Sequence, residues 1–280
     1  VRSLSGLVFA AIMISAIYFS KWGFLVLMLA ILIGSLLEFY KLSETKRNTD
    51  STINYRTWVI VISAIALILS FFSNQRYNLL DTGLILPVIL FVFFALELKS
   101  KSENPFVNIG WNATALVYIL LPLMLSCKIY FEKGAVFLIA LFALIWLYDS
   151  ACYGFGNLFG KRKLTERISP KKTVEGMVLG AALTLAVSWF VNRIPGLEML
   201  NSSEWLVLVF VIIVSATLGD LVESLFKRSM GVKDSGSIMP GHGGFLDRFD
   251  AYFFAIPFVA LSLWLIEQIQ VFLLILNYLK

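Results

Sequence analysis

Asp220 and Glu223 stand three residues apart, and Asp247 and Asp250 repeat that spacing further along the chain. On a helix an i, i+3 pair projects from one face, so each pair can present two carboxylates toward a common point. Ser224 and Lys227 extend the first pair into an i, i+3, i+4, i+7 stripe. Two such pairs at the ends of neighbouring helices make a donor set for a hard divalent cation. Mg2+ takes carboxylate oxygens and leaves its other positions to water and phosphate. Without a cation, clustered carboxylates repel one another and any anionic substrate. Each pair also has a plainer reading. Glu223 and Lys227 suit an i, i+4 ion pair, and Asp247 and Asp250 can pair with Arg248 and other basic residues. Gly241-His242-Gly243-Gly244 precedes the second pair, and glycines let a backbone approach a ligand closely. His242 reads either as a structural hydrogen-bonding residue or as a phosphate contact, and not as a general base.

A basic block lies upstream. Lys161, Arg162, Lys163, Arg167, Lys171 and Lys172 crowd a short stretch with Gly154, Gly156 and Gly160. Ser169-Pro170-Lys171-Lys172-Thr173 then leads into an apolar run that has Glu175 near its start. Ser169 or Thr173 can cap that helix, Pro170 suits a helix start, and free amides at such an N-terminus attract phosphate. The G-x-x-x-x-G-K-[ST] loop is missing, which excludes a P-loop protein. Asp149 closes the apolar run Ala135 to Leu147, either as the partner of an inner-loop lysine or as a further site carboxylate.

The elements that must position these residues are apolar. The chain has 280 residues, of which 59% are hydrophobic and 15% charged, with a mean hydropathy of +0.84. Soluble domains carry about 45–50% apolar and about 25% charged residues. The apolar residues fall in blocks close to the roughly 20 needed to cross a bilayer core. Lipid leaves only helices or a closed barrel as spans, and Val26 to Leu37 lacks the alternation that a barrel strand requires. The expected fold is therefore an all-α, polytopic integral membrane protein. Its nine candidate transmembrane helices are 4–20, 22–40, 57–73, 82–98, 107–127, 134–153, 173–192, 205–226 and 251–278. Residues 1–133 form an N-terminal set of helices, and 134–280 a C-terminal set carrying the polar inner loops. Lys21, Trp22 and Gly23 are the sole punctuation between the first two spans.

Charge orients the array, because cytoplasmic loops carry excess Lys and Arg. A cytoplasmic N-terminus and an outer C-terminus put 17 of the 23 Lys and Arg inside and leave Lys21, Arg76, Lys128, Lys133, Arg193 and Lys280 outside. The first apolar stretch lacks a clear small-x-small cleavage site, so it is expected as a retained span. Cys127 and Cys152 fall near opposite faces and are not expected to form a disulfide. The pI of about 9.1 fits inner loops facing anionic lipid, and no nucleic-acid module is needed to explain it.

The polar blocks resemble a known family. Ser224-Leu225-Phe226-Lys227-Arg228, then Lys233-Asp234-Ser235-Gly236, then Pro240 to Asp250 (PGHGGFLDRFD) are similar to the signature of phosphatidate cytidylyltransferases, the CDP-diacylglycerol synthases. Asp149-Ser150-Ala151, Tyr153, Gly156, Phe159-Gly160-Lys161 and Ser169 to Gly176 resemble that family's other polar block. Met239 replaces the usual Leu, Ile or Phe, and Cys152 and Asn157 also depart from the family pattern. The resemblance covers the C-terminal half; about the first 130 residues match only as apolar spans. It implies that CTP and phosphatidic acid give CDP-diacylglycerol and pyrophosphate at the inner (cytoplasmic) membrane. It further implies Mg2+, with a second cation left open, and a homodimer. On that account Asp220, Glu223, Asp247 and Asp250 hold metal, and Lys227 and Arg228 join Asp220, Asp247 and Asp250 in catalysis. Asp149, Ser169, Lys171, Lys172, Thr173, Glu175, His242, Gly243, Gly244 and Arg248 meet substrate. The D-G-x-x-A-R pattern of CDP-alcohol phosphotransferases is absent. The acids gather at one face instead of the midplane of related halves, which argues against a transporter.

Overall fold

The computed structural model describes residues 2–44, 55–73, 79–98, 102, 104–236 and 243–278. Along the chain run α1 (Arg2–Phe19), α2 (Lys21–Glu44), α3 (Tyr55–Ser73), α4 (Leu79–Glu97) and α5 (Pro105–Ala115). A π-helical turn (Leu116–Leu120) joins α5 to α6 (Leu121–Lys133), and α7 (Ala135–Phe159) follows. A hairpin of β1 (Lys163–Thr165) and β2 (Ser169–Thr173) then leads to α8 (Val174–Val191), α9 (Ser202–Ser229) and α10 (Leu246–Tyr278). Six helical stretches among the described residues are long and apolar enough to cross a membrane: Lys21–Ser43, Pro105–Lys133, Ala135–Phe159, Val174–Val191, Ser202–Ser229 and Leu246–Tyr278. Gly6–Phe19, Thr57–Ser73 and Leu84–Glu97 are shorter apolar helices.

The division between α1 and α2 falls at Ser20. Its hydroxyl accepts from the amides of Trp22 (3.2 Å) and Gly23 (3.3 Å), capping α2. At Gly23 a Cβ would lie 3.1 Å from the Ala16 carbonyl, so the two helices turn back closely on each other. The polar block 161–173, expected as a loop, instead contains an antiparallel hairpin with Lys163 opposite Thr173 and Thr165 opposite Ser169. Helix α7 continues past Asp149 for almost three further turns, so Asp149 sits within the helix and not at its end. Helix α10 likewise begins at Leu246, which places Asp247 and Asp250 in its first turns.

Small residues let the site-bearing helices approach. A Cβ on Gly176 of α8 would stand 2.6 Å from the Cys152 carbonyl of α7, and one on Gly180 would stand 2.6 Å from Cys152 Sγ. Such close contacts are what hold helices together where lipid offers no hydrophobic drive. Helices α9 and α10 meet at Gly219, where a Cβ would lie 2.9 Å from the Asp250 carbonyl. Away from the polar end, Phe142 stacks on Tyr252 at 3.9 Å, and the Tyr252 hydroxyl shares a 2.6 Å hydrogen bond with Ser126. At its other end α9 starts with an Asn201–Glu204 capping box, and Trp205 Nε1 donates to the Ser188 carbonyl of α8 at 2.9 Å. Cys127 and Cys152 are both free thiols.

Candidate functional site

The two polar blocks meet across α9. A cavity of about 270 Å³ opens between α7, the hairpin, α8 and α9. Asp149 and Tyr148 of α7 line it together with Ser169, Lys171, Lys172 and Thr173 of β2 and Thr217 and Asp220 of α9. Lys172 reaches across to form an ion pair with Asp220. The cavity therefore joins residues from blocks some 50 positions apart, and the backbone explains how. Thr173 caps α8 by accepting from the Gly176 amide at 3.2 Å, which turns β2 along the cavity wall. Tyr148 and Thr217 share a 2.5 Å hydrogen bond that ties α7 to α9 beneath it.

One and two turns along α9, the stripe continues with Glu223 and Lys227. Lys227 Nζ lies 2.5 Å from both Glu223 Oε2 and Asp247 Oδ1. The plainer reading of Glu223 and Lys227 as an i, i+4 pair is thus correct, and Asp247 extends it into a triad. The other Asp247 oxygen accepts from the amides of Ser235 (3.0 Å) and Gly244 (2.9 Å). Gly243 has φ of +79°, and a Cβ there would lie 2.6 Å from Asp247 Oδ2, so this turn demands glycine. Asp250 lies within electrostatic reach of Asp220, Glu223 and Asp149, and its Oδ1 accepts from the Ala251 amide at 2.6 Å.

Acid exceeds base here. Asp149, Asp220, Glu223, Asp247 and Asp250 gather around Lys172 and Lys227, with Arg248 within electrostatic reach of Asp149. Glu223 is 1% exposed, and its Oε1 has no hydrogen-bond partner among the described residues. Among the described residues no three His, Cys, Asp or Glu side chains converge as a ready metal group. The lysines occupy the space between the carboxylates.

Other expected residues lie at the margin. Arg228 is exposed and donates to the Val232 carbonyl at 3.0 Å, closing the end of α9. Glu175 turns away from the cavity: Oε2 accepts from the amides of Lys161 and Arg162 at 3.0 Å, and Oε1 from Arg162 Nε at 3.1 Å. Arg248 is exposed on the first turn of α10. His242 lies outside the described residues.

Three participants were missed in the sequence. Glu38 of α2 is 3% exposed and accepts from Ser235 Oγ and the Leu246 amide, both at 3.0 Å. A lone acid inside an apolar block is the signal that would have found it. The Tyr118 hydroxyl, on the π-helical turn, is buried without a partner among the described residues and within electrostatic reach of Asp250, Glu223 and Asp220. Such turns cluster at functional sites, but a π turn has no clear sequence mark. Tyr148 reads in the sequence only as one residue of the candidate span 134–153.

Comparison with known proteins places the polypeptide in a family. Residues 1–266 match the model of the cytidylyltransferase family. The protein named phosphatidate cytidylyltransferase from Staphylococcus saprophyticus is 40% identical over 179 residues, which cover 62% of this chain and 66% of that protein. Proteins of the same name from Staphylococcus epidermidis and Staphylococcus haemolyticus are 36% identical over 209 residues and 35% over 215, each alignment covering 72% of this chain and 78% of the relative. With the match running from the first helix through most of α10, and thus across both polar blocks and the cavity between them, the chain belongs to the cytidylyltransferase family.

Proposed function

We propose that this chain transfers the cytidylyl group of CTP to phosphatidate, releasing pyrophosphate and forming CDP-diacylglycerol for phospholipid synthesis. The observation that carries the reading is the cavity where Lys171, Lys172, Asp149 and Asp220 come together at the polar ends of apolar helices. A lipid phosphate at the leaflet edge and a soluble nucleotide can meet only at such a boundary.

The chemistry asks little of a base. The attacking phosphate oxygen is already ionised near neutrality, so the protein must hold two polyanions in line and offset charge on the α-phosphorus and the leaving pyrophosphate. Lys171 and Lys172 on β2 take nucleotide phosphate, and Lys172 exchanges its Asp220 partner for it. Lys227, held between Glu223 and Asp247, stays charged and fixed beside the reacting groups. Ser169 and the cap residue Thr173 line the approach, with Arg228 and Arg248 at the rim.

Mg2+ fits this donor set. The surplus of carboxylate oxygens and the unpartnered Glu223 Oε1 support it, since an unsatisfied buried carboxylate oxygen is costly. A phosphate-bound Mg2+ needs only one or two protein carboxylates, so a convergent group of three is not required. Asp220, Glu223 and Asp250 are the residues that would hold it; Asp247, whose two oxygens are taken by Lys227 and two amides, would join them only by releasing Lys227. When bound, the ion supplies charge neutralisation on the phosphate oxygens.

The same reading takes the enzyme as a homodimer in the cytoplasmic membrane. It has nine spans with the N-terminus inside, α1, α3 and α4 crossing together with the six longer stretches; the bias of 17 Lys and Arg against 6 supports this orientation. The test uses purified protein, phosphatidate in detergent micelles and labelled CTP, with and without Mg2+. Pyrophosphate and CDP-lipid should form in equal amounts and only with Mg2+. An absence of CTP turnover under these conditions would overturn the assignment.

A further inference from the structure

Glu38 is a carboxylate buried in α2, a helix otherwise apolar over most of its length. Burying an acid there is expensive unless its oxygens are engaged. One oxygen is engaged twice, by Ser235 Oγ and by the amide of Leu246, 208 positions away in sequence. Leu246 opens α10, so its amide is one of the donors that a helix leaves unsatisfied at its N-terminus. Glu38 therefore caps α10 from another helix, where a negative charge is also favoured by the helix dipole.

The same contact reaches Asp247 by a short route. Ser235 is gripped from two sides: its hydroxyl by Glu38, its amide by Asp247. The Glu38 carboxylate also occupies the space beside two glycines of the signature segment. A Cβ on Gly236 would meet Glu38 Oε1, and one on Gly244 would meet Glu38 Oε2 and Ser235 Oγ. Four residues earlier on α2, Gly34 leaves room for the ring of Phe245, where a Cβ would sit 2.7 Å from Phe245 Cδ2. Phe39 stacks on Phe226 at 5.3 Å, immediately before Lys227, and Tyr40 donates to Asn112 of α5 at 2.9 Å. Consecutive residues of α2 thus hold the Asp247 turn, the Lys227 helix and α5.

We propose that Glu38 is a positioning residue for the transfer reaction: by bonding Ser235 and Leu246 it fixes Ser235 and the start of α10, and so the aim of Asp247 and Lys227. The kinetic part of this inference rests on the function proposed above; the structural part does not. Glu38→Leu removes the acceptor, whereas Glu38→Gln keeps an acceptor oxygen.

Amide hydrogen exchange and kinetics on the full-length purified protein test it together. In Glu38→Leu, exchange over the peptide spanning 233–247 should rise by about tenfold while α5 and α6 peptides keep their protection. The kcat should fall by about tenfold to a hundredfold, the range expected for a misaimed site, with KM for CTP little changed because CTP phosphates are held from the cavity side. Glu38→Gln should recover most of the rate. Ser235→Ala, which leaves Glu38 in place, should loosen the same peptide, and its effect should not add to that of Glu38→Leu. Unchanged exchange over 233–247 in both variants would overturn the proposal whether or not the wild type turns over CTP. A rate loss that merely tracks loss of folded protein, with no recovery in Glu38→Gln, would overturn it as well. Loosened exchange in a wild-type protein that lacks CTP turnover would sink only the proposed reaction.

Discussion

The site has two halves built on opposite principles. On the cavity side, Lys172 and Asp220 form an ion pair whose side chains are 27% and 20% exposed, beside an opening of about 270 Å³. On the other side, Asp247 spends both oxygens on Lys227 and two amides, under a buried Glu38 and against glycines with no room for a side chain. Pairs open to solvent contribute little to stability and exchange partners readily. Enclosed, fully bonded networks do not, because a broken bond leaves an unsatisfied buried group. The first half is suited to admit and release a charged substrate, and the second to hold a fixed reference point beside it.

That contrast can be broken by substitution. Asp247→Asn is expected to have the largest effect: Mg2+-dependent CTP consumption should fall by at least about a hundredfold while the protein still inserts in the membrane. Wild-type-like turnover in the purified variant would remove Asp247 from the metal set. Gly244→Ala should come next, since its Cβ meets Glu38 and Ser235. A turnover loss of about tenfold or more, with a lowered melting temperature, follows from overpacking an enclosed turn. Gly154→Ala, which meets nothing within 4 Å, should be silent in the same assays.

Lys172→Ala probes the open half. It should raise KM for CTP by about tenfold, the value of one lost charged hydrogen bond, and leave the melting temperature nearly unchanged. A large loss of stability would mean that the Lys172–Asp220 pair is structural. Glu175→Gln should have a smaller effect, a change in rate of about twofold to fivefold, because its bonds only tether residues 161 and 162, which do not line the cavity. If its effect matched that of Lys172→Ala, Glu175 would belong to the substrate contacts after all.

Much of this was legible in the residues. Apolar blocks announced the helices, the i, i+3 and i+4 spacings placed Asp220, Glu223 and Lys227 on one face of α9, and Thr173 proved to be the cap of α8. Less legible were features that depend on distant partners. Glu175 and Arg228 have the same types as neighbouring site residues, and only packing turned Glu175 toward the Lys161 amide and Arg228 toward Val232. The hairpin at 163–173 was hidden because strands of three and five residues carry too short a pattern to read.

What the amino-acid sequence determined alone is the local and periodic part: a predominantly helical chain suited to lipid, acids and bases concentrated in two blocks, and a motif that belongs to a family. Hydropathy and helical spacing act over a few residues, so a linear reading captures them. The tertiary structure decided which blocks meet and which side chains face the cavity. It also brought an acid from an unremarked apolar helix to brace the Asp247 turn. Those outcomes hinge on close helix approach at Gly176, Gly180 and Gly219, on the packing of Gly244 against Glu38, and on hydrogen bonds spanning up to 208 positions. Such long-range contacts leave no period in the chain that makes them.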